Sequence, residues 1–257
     1  MEKISVFIIT KNEEDRIANI IKRVQKIADE ILIIDSGSTD KTCQIANQLG
    51  AKVIFNQWKG YGPQKVFGQE QCKNDWILNI DSDEEVSSNL AKEISKLSDH
   101  DLSKDVAGFK IKIVNKFPGE KSPKKFAYYY NQLRLYNKKY AGFKSSSVHD
   151  SVELKDKTKS ISQLNNIIYH QSFRSYTHWI EKLNSYSKMQ AQDAIKRGKK
   201  VSTIKILLTP TFAFLKAYFI RRYFIYGFNG LIYSYLFAFS RFAKMVKIRQ
   251  LDKDSII

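Results

Sequence analysis

The sequence predicts an α/β fold, with a parallel sheet covered by helices on both faces and a basic helical region after it. Three observations carry that expectation. Short apolar runs of strand length alternate four times with stretches of helical periodicity. Acidic loops follow the runs, on the edge where parallel sheets bind ligands. The last third abandons the alternation and becomes helical and strongly basic.

The elements follow in order. Ile4–Ile9 is near-continuous in apolar residues, as a strand buried on both faces should be. Thr10-Lys11-Asn12-Glu13-Glu14 is a polar loop. Ile17, Ile20, Ile21, Val24 and Ile27 recur at helical spacing. Ile31–Ile34 is a second strand ending at Asp35, and Ser36-Gly37-Ser38-Thr39-Asp40 is a turn. Thr39 or Asp40 is placed to cap the next helix, which stops at Gly50. Ala51–Phe55 is a third strand. Pro63 suits the first turn of a helix running to about Lys73. Trp76–Ile80 is the fourth strand, and Asp81-Ser82-Asp83-Glu84-Glu85 follows it at once.

After a helix over Ser88–Leu97 the pattern changes. Gly108–Val114, Lys125–Tyr136 and Val148–Leu154 read as strands without long helices between them, and Ile167–His170 as a last strand. From Ser175 the signal is helical: Tyr176–Arg197, Val201–Arg222, and Asn229 to about Ile248. The 257 residues suffice for one large domain or a domain with an appendage, and 43% hydrophobic content supports a packed core. We divide the chain into 1–172 and 173–257. Cys43 and Cys72 fall in predicted helices without metal-ligand spacing, which fits a reduced, cytosolic setting. Val6–Ile9 is too short for a signal-peptide core and runs straight into Lys11 and Glu13.

Asp81 and Asp83 carry the sharpest chemical signal. They stand two apart just past a strand, where a loop can turn both carboxylates towards one ion. Hard oxygen donors suit Mn²⁺ or Mg²⁺ held with a phosphate group. The plainer alternative is a turn leading into a helix with an acidic first turn, which the helix dipole favours. That alternative would leave Glu84 and Glu85 as helix starters.

Charge is unevenly placed. From Arg174 onward 16 Lys and Arg stand against 4 Asp and Glu, so +12 of the formal +17 lies in the last third. Such a surface asks for an anionic partner, either nucleic acid or lipid head groups. Tyr223–Ser240 holds no formal charge but is diluted by Gly227, Asn229, Gly230, Ser234 and four tyrosines, which argues against a spanning helix. Pro210, Lys205 and Lys216 interrupt Ile204–Ile220. Helices with aromatic faces and flanking Lys or Arg lie in the membrane interface, and an aromatic-cored helical subdomain is the alternative.

Taken together, the amino-terminal motifs resemble family 2 glycosyltransferases, which have the GT-A fold. The matching pieces are Ile8-Ile9-Thr10-Lys11-Asn12-Glu13, Asp35-Ser36-Gly37-Ser38-Thr39-Asp40 and Asp81-Ser82-Asp83. Trp58–Lys65, Asp75-Trp76-Ile77-Leu78, Asp83-Glu84-Glu85, Val148-His149-Asp150 and Lys182–Ser187 are similar to the bacterial lipopolysaccharide-core β-glucosyltransferase branch. Two positions depart from that branch: Val66 stands where it carries Asn, and Asp150 where it carries Glu.

The resemblance implies a GT-A, Rossmann-like nucleotide-sugar domain with a mixed sheet, and an inverting, metal-dependent hexosyltransferase. Thr10, Asn12 and Glu13 would line the nucleotide pocket, Asp35 would accept from the base, and Lys65 would face the nucleotide or its phosphates. Asp81 would lie by the ribose and metal shell, and Asp83 would bind Mn²⁺ or Mg²⁺. Asp150 would be the general base, with His149 the alternative, while His170 and His178 read as structural. The donor would be UDP-glucose. The acceptor would be a lipopolysaccharide-core or other lipid-linked saccharide, met at an anionic membrane surface by a cytoplasmic protein peripheral on the inner membrane. No nucleic-acid partner is expected. The rivals are a polyprenyl-phosphate sugar transferase of the same fold, a basic nucleic-acid-binding protein and a non-catalytic membrane module.

Overall fold

The computed structural model describes residues 2–98, 101–102, 105–117, 119–120, 122–144 and 151–254. The chain forms two compact units. One comprises Met1–Val114 and Tyr129–His170, the other Asn115–Tyr128 and Gln171–Ile257. Residues 115–128, which the sequence division leaves in the first domain, thus belong with the helices.

The first unit is a mixed α/β sheet. Its strands are β1 (Ile4–Thr10), β2 (Glu30–Asp35), β3 (Lys52–Phe55), β4 (Trp76–Asp81), β5 (Glu84–Val86), β6 (Val106–Asn115) and β7 (Tyr129–Asn137). They are followed by β8 (Ala141–Phe143), β9 (Val152–Leu154) and β10 (Ser160–His170). The main sheet runs β3-β2-β1-β4-β7-β6-β10-β5, and β8 with β9 makes a separate ribbon. The four amino-terminal strands pair in parallel. β4 with β7, β7 with β6 and β5 with β10 pair antiparallel. Strand order reverses between β1 and β4, and in such sheets ligands bind at that switch point, beyond the carboxyl ends.

Every residue of β1 is buried, as its unbroken apolar run requires. Val6 and Ile8 pack on one side with Ile17 and Ile21 of α1 (Ile17–Val24). Phe7 and Ile9 pack on the other, against Val66 and Phe67 of α3 (Tyr61–Gln71). Pairing side chains in this alternation leaves both faces apolar and sends the polar groups to the strand ends.

Several boundaries differ from expectation. α2 (Thr42–Gln48) has Lys41 at its cap with no side-chain bond; Asp40 accepts instead from the amide and hydroxyl of Thr42. Glu84 and Glu85 do not open a helix. They form β5, because antiparallel pairing with β10 captures them. α4 (Ser88–Ile94) starts after it, capped by Ser87. β7 begins at Tyr129 rather than Lys125, since Phe126 takes a left-handed conformation (φ 65) that a strand cannot hold. The short β8 lies where the sequence predicts no strand. β10 extends well before Ile167 because its early residues alternate weakly and pair only through the sheet.

In the second unit α5 (Tyr176–Lys196), α6 (Thr203–Leu215) and α7 (Phe228–Asp254) are capped or joined by short turns. Ser175 and Ser202 cap α5 and α6. Pro210 sits inside α6, and the helix passes into a π turn at Lys216–Ile220 rather than running on to Arg222. An aromatic cluster makes the core: Phe117 stacks on Tyr233 and Phe173 on Trp179, both at 3.8 Å, with Tyr223 and Tyr226 edge-on. Of the tyrosines of the uncharged run, Tyr223, Tyr226 and Tyr233 thus pack in this cluster, while Tyr235 is exposed.

α3 comes close to the sheet at Gly68, where a Cβ would lie 2.6 Å from Cδ2 of Phe7 and 3.1 Å from Cγ1 of Ile34. Gly68→Ala should destabilise the fold by about 1–3 kcal/mol through overpacking, read as a lower urea midpoint at unchanged slope.

Candidate functional site

The parallel register sets the site. Thr10 stands opposite Asp35 and Ile9 opposite Asp81, so three strand ends meet on one edge. Thr10 is buried, and its hydroxyl has no hydrogen-bond partner among the described residues. An unpaired buried hydroxyl points to a ligand group.

Two loops clasp beyond this edge. Asn12 adopts φ 55, which Asn tolerates. Its amide donates to Ser38 Oγ at 2.9 Å, and its side-chain oxygen accepts from the Thr39 amide at 2.8 Å. The Glu13 amide donates to Thr42 Oγ1, and the Lys41 amide to Glu14. Asp35 shapes its own turn: Oδ2 accepts from the amides of Gly37 and Ser38, and Oδ1 from the Ser38 hydroxyl. Gly37 at φ +91 closes that turn as few other residues can. The Asp35 carboxylate is thus largely occupied within the loop.

Asp81 is the centre of a charged cluster. Lys65, fully buried on α3, places Nζ 2.9 Å from Oδ1 and 3.1 Å from Oδ2. Arg134 on β7 donates Nη2 to Asp81 at 3.1 Å and to Glu84 at 2.6 Å, and Nη1 to Asn79 at 2.7 Å. Glu84 also accepts from the Asp81 amide. Glu85, by contrast, points to Arg23 at 2.9 Å. Two carboxylates sharing one guanidinium are pushed apart. Burial alone would raise both. For Asp81 the charges of Lys65 and Arg134 outweigh it and hold the pKa down at about 2. For Glu84 burial wins, aided by the charge of Asp81, and lifts the pKa to about 7 against Arg134 and His170.

Asp83 lies just beyond this cluster, with its Oδ2 3.4 Å from Nε2 of His170. Pairing of β10 with β5 sets His170 opposite Glu84 and so beside Asp83. Both side chains are partly exposed. The structure therefore brings together Thr10, Asn12, Asp35, Lys65, Asp81 and Asp83. His149 and Asp150 lie outside the described residues. His178 belongs to the second unit, where it accepts from the Arg174 amide near the start of α5.

Arg134 and His170 are the additions that sequence reasoning missed. Arg134 left one trace, a charge inside the otherwise apolar run Leu133–Tyr136. A strand buried on its neighbours carries such a charge only with partners, and Asn79, Asp81 and Glu84 are among them here. His170 left none, because its partner is set by long-range strand pairing.

Arg134→Met should cost about 3–5 kcal/mol in urea unfolding, since it takes the guanidinium from buried Glu84 and Asn79 and leaves Asp81 with Lys65. Adding Glu84→Gln should recover part of that loss. Because the folded pKa of Glu84 is raised, its stabilising contribution is complete below the unfolded value and is lost as pH rises through about 7. The melting temperature should therefore fall between about pH 5 and pH 8, and Glu84→Gln should flatten the decline.

Comparison with known proteins bears on this arrangement. The model of glycosyl transferase family 2 matches residues 5–153. An uncharacterized glycosyltransferase of Rickettsia prowazekii is 45% identical, with 99% of this chain and 89% of that protein aligned. One from Rickettsia felis is 46% identical over 97% of this chain and 90% of its own length. The lipopolysaccharide core biosynthesis glycosyltransferase LpsC of Rhizobium meliloti is 27% identical over 96% and 92%. Among solved structures, glucosyl-3-phosphoglycerate synthase from Mycobacterium tuberculosis, in complex with Mn²⁺, UDP and glucosyl-3-phosphoglycerate, overlaps 46% of this chain and 45% of that one, at 23% identity and a TM-score of 0.35. With a family model covering more than half of the chain and relatives at 45% identity along nearly all of it, the protein belongs to glycosyl transferase family 2 and is a glycosyltransferase with a GT-A fold.

Proposed function

We propose that the protein is an inverting, divalent-metal-dependent hexosyltransferase that moves glucose from UDP-glucose to a lipopolysaccharide-core or other lipid-linked saccharide. The observation that carries this reading is the pair Asp83 and His170, partly exposed beside a carboxylate that two buried cations already hold. Oxygen and imidazole donors suit Mn²⁺, and Mg²⁺ would rest on Asp83. Among the described residues no three His, Cys, Asp or Glu side chains converge. That fits an ion held by one or two protein groups and completed by substrate phosphates. When bound, such an ion neutralises charge on the departing diphosphate.

The chain's own residues account for the remaining tasks. Lys65 and Arg134 keep Asp81 ionised and immobile at the edge of the ribose position. The Thr10 hydroxyl is free to donate into the nucleotide pocket, whose wall is the clasp of Asn12, Glu13 and Asp35 loops. Asp150, or His149, takes the proton of the attacking hydroxyl. Attack from the face opposite the nucleotide inverts the anomeric centre and needs no covalent enzyme intermediate. The similarity to LpsC supports a lipopolysaccharide-type acceptor, and the positive charge of the last third supports work at an anionic, cytoplasm-facing membrane surface.

Thermal shift with nucleotide sugars, with and without Mn²⁺, tests the donor: UDP-glucose should raise the melting temperature most, and chiefly with metal present. Asp83→Ala should abolish the metal-dependent part of that shift and lower transfer by roughly 10²–10³-fold. His170→Ala should raise the Mn²⁺ concentration needed for half-activity. An unchanged metal requirement in both variants would remove the assignment.

A further inference from the structure

The second unit exposes apolar side chains in an unusual order. On α6 and its π turn, Ile204, Leu207, Leu208, Phe212, Leu215 and Phe219 recur every three or four residues, each between 43% and 69% exposed. The opposite side of the helix carries the buried Ile206, Ala213 and Ala217. A helix on a water-facing protein turns its large apolar stripe inward. Here Ile206 and two alanines face the protein, and most of the large side chains face out. On α7 a second exposed stripe, Tyr235, Phe239, Phe242 and Val246, has the same spacing. Phe214, half-buried on α6, lies 4.8 Å from Tyr235 of the second stripe. Such a face exceeds the scattered exposure normal for a monomer.

Basic groups border it. Lys205 on α6 and Lys216 at the start of the π turn are exposed. Arg249, exposed just past Val246 on α7, donates Nη1 to Thr203 Oγ1 at 3.0 Å at the start of α6. Cations along the edge of an apolar face favour anions beside it.

Resting on the proposed work at a membrane surface, we infer that the outward stripes of α6 and α7 are the face that lies in an anionic lipid bilayer, with Lys205, Lys216 and Arg249 meeting headgroup phosphates. Two arguments favour lipid over a second copy of the chain. Two such faces would bring like charge together, +12 from the last third of each. Lipid supplies both the apolar layer and the anions that this face combines. The helix lies in the interface plane. Thr203–Ile220 is long and apolar enough to cross a membrane by length and composition, but one of its sides is packed against protein.

The full chain floated with phosphatidylcholine vesicles, with and without phosphatidylglycerol, tests this. Binding should need the anionic lipid and weaken steeply with salt. Leu208→Glu with Phe212→Glu, at exposed positions, should keep the melting temperature and weaken binding about tenfold or more. Lys205→Gln should weaken it about fivefold. Unchanged binding in the double-glutamate variant overturns the face while leaving the membrane reading intact. Absence of wild-type binding to either vesicle overturns the membrane reading itself. Dimers in solution that the double-glutamate variant splits overturn the face in favour of a second copy.

Discussion

Two buried cations, Lys65 on α3 and Arg134 on β7, hold the carboxylate of Asp81 at the end of β4. Much of the site depends on this contact. Burying charge is costly, and the cost is offset only when every partner is in place. Lys65 reaches Asp81 because α3 seats closely on the sheet at Gly68. Arg134 reaches it because β7 pairs antiparallel with β4 and presents its guanidinium to Asn79, Asp81 and Glu84 together. The helix, the parallel strands and the antiparallel strands are tied through one charged cluster.

The cluster also divides labour among the acids. Four acidic residues within five positions look equivalent along the chain. In the fold Asp81 is ionised and clamped, Glu84 is buried and raised in pKa, Glu85 pairs with Arg23, and Asp83 is turned towards His170. Among these four, Asp83 is the acid whose partly exposed carboxylate has an imidazole, that of His170, beside it. That difference follows from strand alternation at β4 and β5 and from the partner that each side chain meets. On the opposite side of the switch point the loops after β1 and β2 build each other, because Ser38 and Thr42 hydroxyls accept from the Asn12 and Glu13 amides and the Asn12 side chain accepts from the Thr39 amide. A wall made this way is positioned before any ligand arrives, which limits the ordering that binding must supply.

The helical unit answers a different problem. Its aromatic residues separate into a packed cluster around Phe117 and Tyr233 and an outward set on α6 and α7. Ile206 and two small residues, Ala213 and Ala217, occupy the packed side, leaving most of the large side chains outside. The uncharged run Tyr223–Ser240 owes its composition partly to the core, whereas the most exposed apolar stripe falls in the stretch that Pro210, Lys205 and Lys216 make look unpromising.

By itself the sequence determined the α/β alternation, the order of the Thr10–Glu13, Asp35 and Asp81–Asp83 loops, the family they belong to and the basic helical end. These are legible because period, turn residues and charge are local properties of the chain. The tertiary structure decided which acid does what, and it brought Arg134 and His170 to the site. It turned Glu84 and Glu85 into a strand and chose which aromatics are core. Those outcomes depend on strand register between distant segments and on which face packs, and neither is encoded in any single window of residues.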